Sequence, residues 1–230
     1  MMKFKKFNIK TLRCLMFSAI LLGGLSAAAQ EQNKWEPTIR KFESLDSVSR
    51  PEAGGILFTG SSSIAMWKDI QSYFPGYRVI NRGFGGSEFS DLLFYADRVI
   101  LPYKPSKIFI YEGDNDLAAG KDIALIMRQA KTLREKIAKA LPGVPVVFIA
   151  AKPSIARWEL RQKYESLNAE LKRYADQEPL TMYADVWTPM LDASGKPKPV
   201  FLQDNLHMTT EGYRIWQKVM LDLLPPAKKD

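Results

Sequence analysis

Five short apolar runs limit what this chain can fold into. Ile56-Leu57-Phe58-Thr59 ends at Gly60, and Tyr77 to Ile80 follows. Next come Lys107-Ile108-Phe109-Ile110-Tyr111, then Val144 to Ala150, then Leu180 to Ala184. Each is bounded by Gly or Pro and is almost continuously apolar. A strand with one wet face alternates polar and apolar residues, so runs without alternation predict strands covered on both faces. Helical patterns supply the cover. Ile123, Ile126, Met127, Ala130, Leu133, Ile137 and Leu141 recur at three- and four-residue spacing, with Lys and Arg on the other side, until Pro142-Gly143. Leu160, Tyr164, Leu167, Leu171 and Tyr174 make a second such face, and Tyr213, Trp216, Met220, Leu223 and Leu224 a third, opened by Thr209-Thr210-Glu211. Strands alternating with helices predict an α/β fold with a mainly parallel sheet. Residues 55–226 read as one domain. Residues 30–54, with Trp35, Ile39 and Phe42 at helical spacing, read as a helical extension packed on it.

The charge has a local origin. The chain carries 33 Lys+Arg against 25 Asp+Glu, formally +8. Lys3, Lys5, Lys6, Lys10 and Arg13 precede an apolar run from Leu15 to Leu25, too short to span a bilayer comfortably, and Ala27-Ala28-Ala29 then offers a small-residue cleavage site. Residues 1–29 therefore read as a signal peptide cleaved near Ala29, giving an exported protein with no stable membrane anchor. Without those five basic residues the mature balance is 28 against 25, or +3. No mature segment holds five like charges in a row, so no nucleic-acid partner is expected. The lone Cys14 leaves with the leader, so no disulfide is expected. One Cys and one His cannot build a zinc cluster.

In open parallel sheets the working residues lie beyond the carboxyl ends of the strands. Five segments fall there: Gly60-Ser61-Ser62-Ser63, Asn81 to Gly86, Glu112 to Asp116, Ala151 to Ser154, and Asp204-Asn205-Leu206-His207 before the last helix. Several motifs fail on inspection. Gly83-x-Gly85-Gly86 begins like a dinucleotide loop, but Glu88 occupies the third glycine position. Gly113 to Lys121 has the wrong spacing for a phosphate loop, with Asp122 where Ser or Thr is needed. Asp114-x-Asp116 lacks the third calcium ligand at Ala118. Glu112, Asp114 and Asp116 are better explained as caps and turn formers than as a glycosidase carboxylate pair.

Serine chemistry survives. It needs a nucleophile, a base, a group that orients the base, and donors for the oxyanion. Ser61, Ser62 and Ser63 all occupy a strand-to-helix turn, where ordinary helix capping is the plain alternative. Only His207 can be the base. Asp204, three residues earlier, can reach one imidazole nitrogen and leave the other facing outward.

Four separated blocks carry a resemblance. Phe58-Thr59-Gly60-Ser61-Ser62-Ser63-Ile64, Asn81-Arg82-Gly83-Phe84-Gly85-Gly86-Ser87, Gly113-Asp114-Asn115-Asp116 and Asp204-Asn205-Leu206-His207 resemble, in order, the blocks of the SGNH (GDSL-type) hydrolases, a family of esterases and acylhydrolases. The resemblance covers about residues 55 to 216. It implies a three-layer flavodoxin-like fold with a five-stranded, mainly parallel sheet. It makes Ser62 the nucleophile, His207 the base and Asp204 its orienter. Ser62 N–H, Gly86 N–H and the Asn115 side chain become the oxyanion donors, with Gly85 the competing register. No metal or cofactor is implied. One departure stands out, since Ser61 occupies the position where the family usually has Asp. The expected substrate is a short acyl ester, with an acetyl group on a carbohydrate preferred. An acyltransferase to a sugar acceptor and a non-catalytic carbohydrate-binding module are the rivals. Trp67, Phe84, Phe89, Tyr111, Trp158 and Trp187 are candidates to line the substrate pocket, with core packing expected for at least half. Lys152 and Arg157 are candidates to meet an anionic or sugar leaving group.

Overall fold

The computed structural model describes residues 33–226, so the expected signal peptide and Cys14 lie outside the described residues. The chain separates into a short N-terminal unit ending at Pro37 and a body from Thr38 onward. In the first unit Asn33–Trp35 forms a 3-10 turn, with the Lys34 ammonium 3.9 Å from the Trp35 ring centroid. Trp35 thus precedes the helix that its spacing with Ile39 suggested. That helix, α1, spans Glu36–Val48.

The body alternates as the apolar runs predict. Strand β1 (Ile56–Gly60) leads to helix α2 (Ser62–Ala65) and helix α3 (Ile70–Tyr73). Strand β2 (Val79–Gly83) leads to α4 (Phe89–Val99), and β3 (Lys107–Tyr111) to α5 (Asp114–Ala118) and α6 (Ile123–Ala140). Strand β4 (Val146–Ile149) leads to α7 (Arg161–Gln177), and β5 (Thr181–Ala184) to α8 (Thr210–Leu221). The five strands pair in the order β2-β1-β3-β4-β5, and every pairing is parallel. This is the flavodoxin-type order.

Two differences from the sequence expectations have physical reasons. Strand β2 starts at Val79, not Tyr77, and takes in Asn81-Arg82-Gly83, which read as loop. It is an edge strand whose polar side chains find partners outside the sheet. Asn81 Nδ2 donates to the carbonyls of Ile64 (2.8 Å) and Trp67 (3.2 Å), and Arg82 forms an ion pair with Asp46. Helix α4 was not anticipated at all. Its buried face is Phe89, Leu92, Tyr95, Ala96 and Val99, but exposed Phe94 blurs the period.

The sheet is covered on both faces. On one, Phe58, Phe109 and Val147 pack with Trp67, Phe74, Tyr213, Trp216 and Met220. Phe58 and Phe109 stack at 4.7 Å between centroids, as do Trp67 and Tyr213. Such pairs each contribute ~0.5–1.5 kcal/mol beyond their burial. Helices α4, α6 and α7 carry buried apolar faces, including Leu92, Leu133 and Leu167, as the other layer requires. From Thr38 onward α1 is held by Ile39, which is fully buried, and by Glu43, whose two oxygens meet Arg98 at 2.6 and 2.8 Å. Among the described residues no helix is long and apolar enough to cross a membrane.

The order places β1 between β2 and β3, so the chain runs from β1 to β2 on one side and then returns to β3 on the other. That divergence opens a crevice at the strand ends. Gly60 closes β1 against β3. Its φ is +118°, and a Cβ there would lie 2.1 Å from the Tyr111 carbonyl oxygen, so no side chain fits. Across the crevice, the Tyr213 hydroxyl donates to Ser63 O at 3.0 Å, which ties α8 to α2.

Candidate active site

The three serines after Gly60 have different fates. Ser61 is extended (φ −74°, ψ −166°) and its carbonyl accepts the N–H groups of Ile64 and Ala65, so it precedes the helix. Its side chain is buried. Ser63 is buried as well, and its carbonyl is engaged by Tyr213. Ser62 opens α2 and is half-buried. Its Oγ lies 2.9 Å from His207 Nε2. Of the three, Ser62 is the serine that the structure brings to the histidine.

His207 is held by a turn built from its own segment. Asp204 Oδ1 accepts the backbone N–H groups of Leu206 and His207, each at 2.9 Å, while Oδ2 meets His207 Nδ1 at 2.6 Å. Asn205 adopts the left-handed conformation (φ +56°), which asparagine tolerates better than most residues. His207 O accepts from Leu202 N at 2.7 Å, and Asn205 O accepts from Ala156 N at 3.0 Å. The bond from His207, joined by the two backbone N–H groups, holds the Asp204 carboxyl well below its usual range. An ionised carboxylate only accepts, so Nδ1 carries the proton and the Nε2 lone pair faces the Ser62 hydroxyl.

The two glycines offered for the oxyanion site differ. Gly86 has φ +80° with open space where a Cβ would stand, so backbone conformation is what calls for glycine. Gly85 has an ordinary φ, but a Cβ there would sit 3.7 Å from Ser62 Cβ, against that serine's side chain. Asn115, in the first turn of α5, donates from Nδ2 to Ser61 Oγ (2.7 Å) and to Ser87 O (2.9 Å). Ser61, the residue that departs from the resembled pattern, thus accepts a hydrogen bond from Asn115. Asp116 Oδ2 accepts the N–H groups of Gly113 (3.2 Å) and Phe89 (3.3 Å), pinning this turn to the start of α4.

Two buried carboxyls nearby behave in opposite ways. Burial works to raise Asp114, but Lys152 and Arg157, helped by the Tyr164 and Tyr111 hydroxyls, outweigh it and hold the carboxyl well below its ordinary value. Arg157 reaches Asp114 Oδ1 at 2.6 Å, Lys152 reaches Oδ2 at 3.4 Å, Tyr111 donates to Oδ2 at 2.8 Å, and Tyr164 donates to Oδ1. Among the described residues no cation pairs with Glu112. Burial, then the Asp116 charge, pushes its carboxyl well above 4.5, against a smaller opposing effect of the Ser87 hydroxyl, which donates to Oε1 at 2.7 Å.

These contacts correct several expectations. Lys152 is buried and paired with Asp114, which removes it from any leaving-group site. Arg157 is turned inward: besides Asp114 it donates from both terminal nitrogens to Asn115 Oδ1, each at 3.2 Å. Trp67, Phe84, Phe89 and Tyr111 are core residues, in line with the core packing expected for at least half of the six aromatic candidates. Trp158 and Trp187 are half-buried and stack at 6.0 Å. The parts played by Asp114, Glu112 and Ser87 were missed; their position at the end of β3 or after β2 was the available signal. Among the described residues no group of three or more His, Cys, Asp or Glu could hold a metal ion.

The sequence pattern of the GDSL-like lipase/acylhydrolase family matches residues 54–215. Solved structures share the fold. One from Streptococcus pneumonia, provisionally named a platelet activating factor, is 22% identical, with TM-score 0.75 over 90% of this chain and 99% of that one. A GDSL-like lipase from Bacteroides thetaiotaomicron is 21% identical, with TM-score 0.70 over 80% and 96%. An acetyl xylan esterase from Geobacillus stearothermophilus is 18% identical, with TM-score 0.57 over 74% and 94%. No curated protein matches the chain.

Proposed function

The chain belongs to the GDSL-like lipase/acylhydrolase family, and from that premise we propose that it is a serine esterase cleaving short acyl esters through an acyl-enzyme. The observation that carries this reading is the continuous contact from Ser62 Oγ through the His207 ring to Asp204, at 2.9 and 2.6 Å. In the proposed mechanism His207 Nε2 takes the Ser62 proton as Oγ bonds to the acyl carbon. Ser62 N–H, Gly86 N–H and Asn115 Nδ2, which gives up its bond to Ser61 Oγ in exchange, receive the oxyanion, each such donor lowering the barrier by about 3–4 kcal/mol. The tetrahedral species collapses, the leaving oxygen departs with the proton from His207, and the acyl group stays on Ser62. Water then gives a proton to His207 and its oxygen to the acyl carbon. The acid leaves, and the proton returns to Ser62. Asp204 holds the imidazole tautomer and stabilises the imidazolium throughout.

The connections after β1, β2 and β3 are Ser61 alone, residues 84–88 and residues 112–113, each too short to form a lid, while those after β4 and β5, residues 150–160 and 185–209, are longer. An acetyl group on a carbohydrate is the preferred ester, and the acetyl xylan esterase among the structural neighbours carries such chemistry on this fold. The basic start, apolar run and alanines of residues 1–29 support export of the mature enzyme.

A chain-length series of nitrophenyl esters, with and without sugar acceptors, tests the reading. Acetyl should be turned over fastest, with free acid as product. Ser62→Ala should abolish turnover in a protein that still melts cooperatively. Retained turnover in that variant would remove the nucleophile, and acyl transfer to the sugar outpacing hydrolysis would make the protein a transferase.

A further inference from the structure

An asparagine side chain can stabilise an oxyanion only if its NH₂ end faces the reacting carbonyl, and the two ends of an amide are nearly the same size. Something must choose between them. On one side of Asn115 stand Ser61 Oγ and the Ser87 carbonyl, 2.7 and 2.9 Å from Nδ2. A hydroxyl tolerates either end, so on this side only the Ser87 carbonyl discriminates. On the other side both terminal nitrogens of Arg157 lie 3.2 Å from Oδ1. A guanidinium has donors and no acceptor. Rotating the amide by half a turn sets NH₂ against those donors and Oδ1 against the Ser87 carbonyl.

We propose that Arg157 is a positioning residue for this reaction, locking the Asn115 amide with its NH₂ end toward Ser61 Oγ and the Ser87 carbonyl, beside the serine turn, and polarising it as a donor. Resting on the esterase reading above, the inference assigns the arginine a role through Asn115 and none in substrate binding. The arginine is itself fixed. Asp114 Oδ1 holds it at 2.6 Å and the Asp114 carbonyl at 3.2 Å, so one guanidinium spans two consecutive residues. Asp114 in turn is kept ionised and immobile by Lys152, Tyr111 and Tyr164. The planar fork is what permits this double engagement, and a lysine ammonium lacks it.

A double-mutant cycle on nitrophenyl acetate hydrolysis tests the assignment. Asn115→Ala should lower kcat by ~10²–10³ with KM little changed, the loss usual for one oxyanion donor. Arg157→Met should lower kcat by a smaller factor, about 10-fold or more, again at constant KM, with part of the loss restored by added guanidinium ion. In the Asn115→Ala background Arg157→Met should have no further effect on kcat. Arg157→Lys keeps a charge beside Asp114 if the methionine variant fails to fold, and it too should lose kcat at constant KM. An additive loss in the double variant, or a loss confined to KM, would overturn the assignment while leaving the esterase reading intact. Wild-type kcat in Asn115→Ala would instead overturn the oxyanion role on which it rests.

Discussion

Replacing Glu112 by Gln should make the protein more stable as the pH rises. The Glu112 carboxyl is buried at the end of β3, hydrogen-bonded by Ser87, with carboxylates at Asp116, Asp91 and Glu88 around it. Burial first and Asp116 second raise its folded pKa well above 4.5, so the native protein holds a proton there that the unfolded chain releases near 4.5. A group with a raised carboxyl pKa favours the native state fully below the unfolded value. That contribution is lost as pH climbs toward the folded value. Each pH unit over which Glu112 keeps its proton costs the wild type about 1.4 kcal/mol relative to the glutamine variant. For a body of this size that is ~3–6 °C in Tm per unit. Gln also keeps an acceptor for the Ser87 hydroxyl. The assay is a set of thermal melts of both proteins from pH 4 to 8. Near pH 4 the two should melt within a few degrees of each other, and the variant should then gain steadily on the wild type. Neighbouring carboxylates are common to both proteins, so the difference isolates residue 112. A difference that stays constant across the range would refute the claim that the folded protein carries Glu112 protonated.

Two further outcomes follow from the site. Asp204→Asn should keep the melting temperature, because an amide oxygen can still accept the Leu206 and His207 N–H groups. Turnover should fall by about 10³–10⁴, because the amide NH₂ set against Nδ1 favours the wrong imidazole tautomer; steady-state kinetics beside a melt checks both. Gly60→Ala should give little or no soluble protein, since its Cβ would meet the Tyr111 backbone at 2.1 Å in a left-handed conformation; wild-type yield and melting would contradict the close approach of β1 and β3.

Much of this arrangement could be read from the residues. Runs such as Ile108-Phe109-Ile110-Tyr111 and Val146–Ile149 are apolar throughout because helices cover both faces, and that pattern needs no partner to be recognised. Edge strand β2 was misplaced because Asn81 and Arg82 are made compatible with a strand by Ile64, Trp67 and Asp46, which lie elsewhere in the chain. Ser62, Asp204 and His207 are brought together as the blocks implied, the last two within a single turn. Arg157 was legible as a residue at a strand end and not as an inward-facing one. Its partners Asp114 and Asn115 lie 43 and 42 residues earlier, and only the adjacency of β3 and β4 joins them. Lys152 was drawn inward by the same buried Asp114, a pull that no local pattern carries.

The central claim is that Ser62 alone among the three consecutive serines attacks the substrate. Labelling the protein with a fluorophosphonate and mapping the modified peptide by mass spectrometry tests it most directly. The account predicts one adduct, on Ser62, absent from Ser62→Ala and strongly slowed in His207→Ala. An adduct on Ser61 or Ser63, or ester hydrolysis by a protein that takes no label, would contradict it.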